Sequence, residues 1–79
     1  MTVHELKIWP VYFMDVKDGL KTFEVRKNDR DFWEGDTLRL KEYREESGHT
    51  GRVIVAKVTY VSQLPGVDGY VGMSIEVLS

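Results

Sequence analysis

The sequence predicts a small α+β domain, built as a mostly antiparallel β-barrel of about five strands with one covering helix. Four short segments alternate apolar and polar residues, as half-buried strands do, and a fifth is apolar on both faces, as is typical of a central strand. Apolar side chains recur near helical spacing around one segment, which predicts a short helix over residues 10–18. The 79 residues have room for a single domain, residues 1–79, and closing its sheet toward a barrel removes edges prone to aggregation.

The predicted helix follows a first strand, "ELKIW". Pro10 suits the first helical turn because no backbone N–H is needed there, and Gly19 can end the helix in a left-handed conformation. The apolar residues at helical spacing predict a buried stripe: Trp9, Phe13, Val16 and Leu20. Met14 is interpreted as core filler. Tyr12 lies off the stripe and is a better candidate for the mouth of a cleft.

The next strand, "KTFEVRKN", carries a dense set of polar side chains. Its alternation predicts that Phe23 and Val25 point into the interior, while Glu24 and Arg26 share the opposite face. Lys21 adds a mobile positive charge where the strand begins. The remaining strands are predicted in three segments: "TLRLKEY", "VIVAKVTYV" and "YVGMSIEVL".

The chemistry of these polar groups suits a nucleotide-like ligand. Glu24 can accept hydrogen bonds from an amine or a ring N–H, and Arg26 offers a planar, permanently charged fork for phosphate or for a base edge. Lys21 would add a further cation. The alternative interpretation is a solvated Glu–Arg pair worth only ~0–1 kcal/mol. The spacing of these residues leaves both interpretations open.

Composition and charge restrict the cellular location and the classes of binding partner that we expect. The formal charge of −2 and a pI near 5.6 argue against a broad basic surface for nucleic acid, although a local basic site stays possible. The absence of cysteine excludes disulfides and thiolate zinc clusters. No apolar run approaches the ~20 residues of a membrane span, and the N-terminus does not resemble a secretory signal. We therefore expect a cytoplasmic protein without a membrane partner.

Metal ions, cofactors and catalytic residues are not predicted. His4 and His49 are far apart in the sequence and do not form a recognisable metal set. The carboxylates of "DRDFWEGD" lack the ligand spacing of an EF-hand and are interpreted as turn formers and partners of Arg30. Of the adjacent Phe32 and Trp33, one is expected to pack inward.

A longer motif connects these residues to a known family. Gly19, Lys21, Glu24 and Arg26 spell G-x-K-x-x-E-x-R, which resembles the signature of the ASCH domain, a branch of the PUA-like superfamily of RNA-associated domains. Four blocks extend the resemblance to a small ASCH-like family, the domain of unknown function DUF3850, which is frequent in phages: "HELKIWPVYF", "GLKTFEVRKNDRDF", "EGDTLRLKEY" and "GYVGMSIEV".

The resemblance implies a PUA-like barrel with a cleft beside its helix, and an RNA or nucleotide-like ligand held there by Lys21, Glu24 and Arg26. Lys7, on the first strand, is expected to reach the same cleft. The rim is expected to include Asn28 and Arg30, and Tyr12 is expected at the mouth.

Two other functions stay open. The chain could be a protein-interaction module with no nucleic-acid ligand. Some ASCH-like proteins are amidohydrolases acting on acetylated cytidine, but they place a threonine where Glu24 stands here. The hydroxyl of Thr22 is displaced from that position by about 7 Å, which is large against the tolerance of nucleophilic attack. Oligomeric state and ligand identity are not predicted.

Overall fold

Five strands form one curled, mixed sheet, and a single helix packs against it. The computed structural model describes all of residues 1–79. In chain order the elements are β1 (Val3–Ile8), α1 (Pro10–Lys17), β2 (Phe23–Lys27), β3 (Thr37–Arg44), β4 (Gly48–Gln63) and β5 (Tyr70–Val77). The predicted α+β class, strand number and single helix are confirmed. The chain has no helix with the length and apolar character needed to cross a lipid bilayer.

The strand order is β1-β3-β4-β5-β2, and every neighbouring pair is antiparallel except the parallel pair β1 and β3. β4 occupies the centre, as its apolar character on both faces predicted, and it begins at Gly48, before the predicted segment "VIVAKVTYV". Its pairing shifts register twice, once against β3 between Lys41 and Tyr43 and once against β5 between Val58 and Tyr60. Such irregularities bend and twist a strand, in keeping with the curl of this sheet into a half-barrel.

The half-barrel is open between its two edge strands, β1 and β2. Two arginine side chains reach across the opening. Nη2 of Arg26 donates to the carbonyl oxygen of Lys7 at 2.8 Å, and Nη1 of Arg30 donates to the carbonyl oxygen of Glu5 at 3.0 Å. Side-chain donors thus satisfy β1 carbonyls that a closed barrel would pair with a neighbouring strand. The predicted closure toward a barrel therefore stops at a half-barrel, with a polar opening.

The core lies on the concave side of the sheet, under α1. The helix contributes Phe13 and Val16, and the loop after β2 contributes Phe32. The strands contribute the other ten apolar side chains of the buried cluster: Leu6, Ile8, Leu38, Leu40, Ile54, Ala56, Val58, Val71, Met73 and Ile75. Burying this apolar surface at ~25 cal/mol per Å² is the main force that holds the sheet and helix together.

The interior prediction for β2 is wrong, although its alternation is correct. Glu24 is 3% exposed, whereas Phe23 and Val25 are 53% and 47% exposed. The strand therefore turns its carboxylate inward and its apolar residues outward. This orientation is tolerated because two cations neutralise Glu24.

The helical stripe is shorter than predicted. Trp9 is the N-cap residue, in an extended conformation (φ −69°, ψ 150°), so its side chain does not continue the helical spacing and is half-exposed. Leu20 follows Gly19, whose φ of +77° ends the helix, and is also exposed. Met14 is exposed rather than core filler. Phe13 and Val16 alone attach α1 to the core.

Candidate functional site

Three charged residues form a connected cluster on β2 and the turn before it. Oε1 of Glu24 accepts from Nζ of Lys21 at 2.5 Å, and Oε2 accepts from Nε of Arg26 at 2.9 Å. The side chain of Glu24 is 4% exposed, whereas those of Lys21 and Arg26 are 18% and 26% exposed. A buried anion is thus held between two cations that reach the surface, and the cluster has a net positive charge.

Backbone carbonyl oxygens, of Phe23 for Lys21 and of Lys7 for Arg26, help to hold the two cations in place. After Gly19, the N–H groups of Leu20 and Lys21 donate to the carbonyl oxygen of Asp15 at 2.9 and 3.0 Å, which ties the turn to the helix end. Nζ of Lys21 also donates to the carbonyl oxygen of Phe23 at 2.7 Å. Each cation therefore has at least two partners and is oriented before any ligand arrives, while ammonium and guanidinium donors are left over.

A cleft of about 470 Å³ opens above this cluster, between β2 on one side and β1 with α1 on the other. We call it the signature cleft. Its aromatic walls are Trp9, Tyr12 and Phe23, all substantially exposed. The ammonium of Lys21 lies 5.6 Å from the ring centroid of Tyr12 and 4.9 Å from that of Phe23, within the range of cation–π attraction. The cleft thus combines cations with flat apolar surfaces.

A second hollow, of about 670 Å³, lies beside the first and follows the opening between β1 and β2. We call it the edge groove. Lys7, Val25 and Arg26 line both hollows, so the two are neighbours separated by the Arg26 bridge. The other residues that line the edge groove are Glu5, Leu6, Lys27, Asp29, Arg30, Phe32, Lys41, His49 and Tyr70.

The structure brings most of the predicted site residues together. Lys7, Tyr12, Lys21, Glu24 and Arg26 line the signature cleft. Arg30 lines the edge groove instead.

Asn28 lines neither hollow. Its Oδ1 accepts from the N–H of Phe32 at 3.1 Å, and its own N–H donates to the carbonyl oxygen of Gly69 at 2.7 Å. These bonds make it an organiser of the loop after β2.

Sequence reasoning missed Trp9 and Phe23 as walls of the cleft, because it placed both in the core. It also missed Lys27 and Lys41 in the edge groove. Lys41 lies on β3, which pairs with β1 in parallel, opposite Lys7. Only the strand order places those two lysines side by side. The unusual density of polar residues between Lys21 and Arg30 was the one signal available.

A different polar pair is structural. Nε2 of His4 lies 2.8 Å from Oδ2 of Asp36, both side chains are buried, and the imidazole lies beside the ring of Phe32. Burial alone would raise the pKa of Asp36, but hydrogen bonds from His4 and from the N–H groups of Thr2 and Trp33 outweigh it and lower that pKa. Asp36 therefore pairs with His4 and not with Arg30, contrary to the sequence interpretation.

Comparison with known proteins identifies the family. The family model described as "Domain of unknown function (DUF3850)" matches residues 3–75, which include every strand start and the whole charged cluster. A relative from Escherichia phage P2, an uncharacterised 12.9 kDa protein encoded in the GpA 3′ region, is 42% identical over 62 residues. That match covers 78% of this chain and 56% of the phage protein, so the chain corresponds to about half of its relative. With nearly its whole length matched, the chain belongs to the DUF3850 family.

Proposed function

We propose that this protein binds RNA or a nucleotide-like ligand in the signature cleft, as an ASCH-type member of the PUA-like superfamily. The motif G-x-K-x-x-E-x-R at residues 19–26 supports the superfamily placement by resemblance. The curled sheet, the short helix and the cleft between helix and β2 support it by architecture.

One observation carries the proposal: two pre-oriented cations lie at the base of a cleft with aromatic walls. Lys21 and Arg26 keep unused N–H donors for a phosphate or for a base carbonyl. Trp9, Tyr12 and Phe23 offer ring faces on which a base can stack, worth ~1–3 kcal/mol per base. One hollow thus offers cations for the phosphate of a nucleotide and aromatic rings for its base.

The role of Glu24 changes from the one inferred from the sequence. Both of its oxygens already accept from Lys21 and Arg26, and its side chain is buried. We assign it to positioning: the carboxylate orients the two cations and lowers their mutual repulsion. Ligand groups then contact Lys21 and Arg26 directly.

Binding fits this geometry better than hydrolysis. Thr22 is the hydroxyl nearest in sequence to Glu24, but it lines neither hollow. Its carbonyl oxygen accepts from the N–H of Ile75, so its backbone is held against β5. A hydroxyl nucleophile has to lie within ~3–3.5 Å of the carbon it attacks. The lysine of the cluster is moreover engaged with a carboxylate rather than with a hydroxyl.

The test is a titration of nucleoside monophosphates and short ribo-oligonucleotides against the wild type and Arg26→Ala. We expect Arg26→Ala to lose at least tenfold in affinity, about 1.4 kcal/mol, because a charge-assisted contact is removed. Arg44→Ala is the matched control, since Arg44 is exposed and lines neither hollow. Thermal unfolding of each variant shows whether it is folded.

Removing Arg26 also leaves Glu24 with one cation, so Arg26→Ala alone could act through folding. The double variant Glu24→Gln, Arg26→Gln removes both charges together and keeps polar side chains. Wild-type affinity in the folded double variant would refute the proposed site. Recovery of a protein partner, with no affinity for any nucleotide, would favour the interaction-module alternative.

A further inference from the structure

We propose that the edge groove holds the phosphodiester backbone of a single strand whose base occupies the signature cleft. The ligand class is then an oligonucleotide rather than a free nucleotide. This inference rests on the proposed function and extends it to a second surface.

Charge is the first reason. Five cations line the edge groove against two carboxylates, in a chain whose formal charge is −2. The two carboxylates are Glu5 and Asp29. Glu5 is already engaged, because Arg39 and Lys41 lie 2.6 and 3.4 Å from its oxygens, and their hydrogen bonds lower its pKa. Asp29 is exposed and is the one carboxylate of the groove outside an ion pair.

The availability of the cations is the second reason. Lys7, Lys27 and Arg30 are exposed and belong to none of the ion pairs of the chain. Lys7 lies over the ring of Tyr43 at 4.4 Å, and Arg30 donates to a backbone carbonyl. Neither contact neutralises the charge. A phosphate arriving here would not have to displace a carboxylate, unlike one that approaches a paired surface lysine.

The third reason is that the edge groove is continuous with the signature cleft. Arg26 and Lys7 line both hollows, so a chain leaving the signature cleft passes directly over them into the edge groove. Exposed Tyr70 lies along the same path and offers a ring face to a flanking base. Small barrels that bind single strands cover on the order of four nucleotides or more. A mononucleotide would leave the edge groove unused.

Lys27→Gln is the sharpest variant, because Lys27 lines the edge groove but not the signature cleft and has no ion-pair partner to disturb. Lys17→Gln is the matched control: it is exposed, ends α1 and lines neither hollow. The probes are a fluorescein-labelled ribohexamer of mixed sequence, its deoxy counterpart, and adenosine and cytidine monophosphates. Affinities are measured at several salt concentrations.

We expect the wild type to bind the ribohexamer more tightly than either monophosphate. Lys27→Gln should weaken hexamer binding roughly threefold to tenfold and reduce the slope of log K against log salt by about 0.7, the value for one phosphate contact on a single strand. Monophosphate affinity should not change. Equal affinity for hexamer and monophosphate, or a Lys27→Gln variant that binds the hexamer as the wild type does, would overturn the inference.

This outcome is separable from failure of the proposed function. If Lys27→Gln has no effect while Arg26→Ala loses affinity for monophosphates, ligand binding in the signature cleft is supported and backbone binding in the edge groove is refuted. A hexaglutamate peptide provides a further arm. If the peptide displaces the labelled hexamer as effectively as unlabelled RNA does, and loses this ability in Lys27→Gln, the groove recognises any polyanion. In that case the inference of a nucleic-acid backbone is overturned.

Discussion

Two buried carboxylates, Asp36 and Glu24, look alike in isolation and differ in what surrounds them. Each is almost inaccessible and each has a nitrogen donor within 3 Å. The partners of Asp36 are a buried imidazole and two backbone N–H groups, and none of these residues lines either hollow. The partners of Glu24 are a lysine and an arginine that reach a cleft.

Burial alone therefore does not distinguish these two carboxylates, whereas the exposure of their partners does. Hydrogen bonds to Asp36 connect the N-terminus and β1 with the turn that leads into β3. The hydrogen bonds of Glu24 are local, within the six residues from Lys21 to Arg26, and they orient two cations that line the signature cleft.

The largest effect is expected from Asp36→Ala. It leaves His4 buried without a partner and removes an acceptor from the N–H groups of Thr2 and Trp33. We expect the free energy of unfolding to fall by about 3 kcal/mol, a large fraction of the stability of a small domain. Urea unfolding measures it, and Asp68→Ala, in an exposed loop, is the control. A fall in the free energy of unfolding of less than ~1 kcal/mol would contradict the structural role of Asp36 and its contrast with Glu24.

Glu24→Ala is expected to have a smaller effect on stability and a specific effect on binding. Lys21 and Arg26 are partly exposed and can take up water, so the free energy of unfolding should fall by only about 1–2 kcal/mol. Affinity for a ribo-oligonucleotide should fall about tenfold, because the cations lose their shared acceptor. Fluorescence anisotropy on the folded variant checks this. Unchanged affinity would mean that Glu24, like Asp36, serves only the fold.

The smallest expected effect is a dependence of stability on acid pH. The pKa of Asp36 is lowered in the folded state, so the unfolded chain binds the proton more tightly. The stabilisation is present above the unfolded pKa of ~3.9 and is lost as the pH falls through the lower folded value. Urea midpoints between pH 3 and 6 should therefore fall toward the acid end. Asp36→Asn should flatten part of that fall. If the urea midpoint of Asp36→Asn depends on pH as that of the wild type does, the acid loss of stability comes from other carboxylates.

Residue patterns anticipated much of the fold. Alternation located β1, β3 and β5, and the apolar run of β4 indicated its central position. Pro10 and Gly19 bounded the helix correctly. These features are local, since they depend on the period of the side chains and on backbone conformations that particular residues favour.

The candidate site was anticipated only in part. The motif at Lys21, Glu24 and Arg26 indicated which side chains meet. It did not indicate the orientation of β2, because hydrophobicity favours Phe23 and Val25 as the buried pair and the opposite holds. Nor did it reveal the edge groove, whose lysines come from β1, β2 and β3.

The sequence by itself determined the class of fold, the order of the elements along the chain and the side chains that share a face, because those depend on periodicity along one strand or helix. The tertiary structure decided which face of β2 turns inward, where the sheet stays open, and which cations converge beside the opening. Those outcomes depend on strand order and on contacts between charged and polar groups of distant segments. The residue pattern within one strand or helix does not reveal either of them.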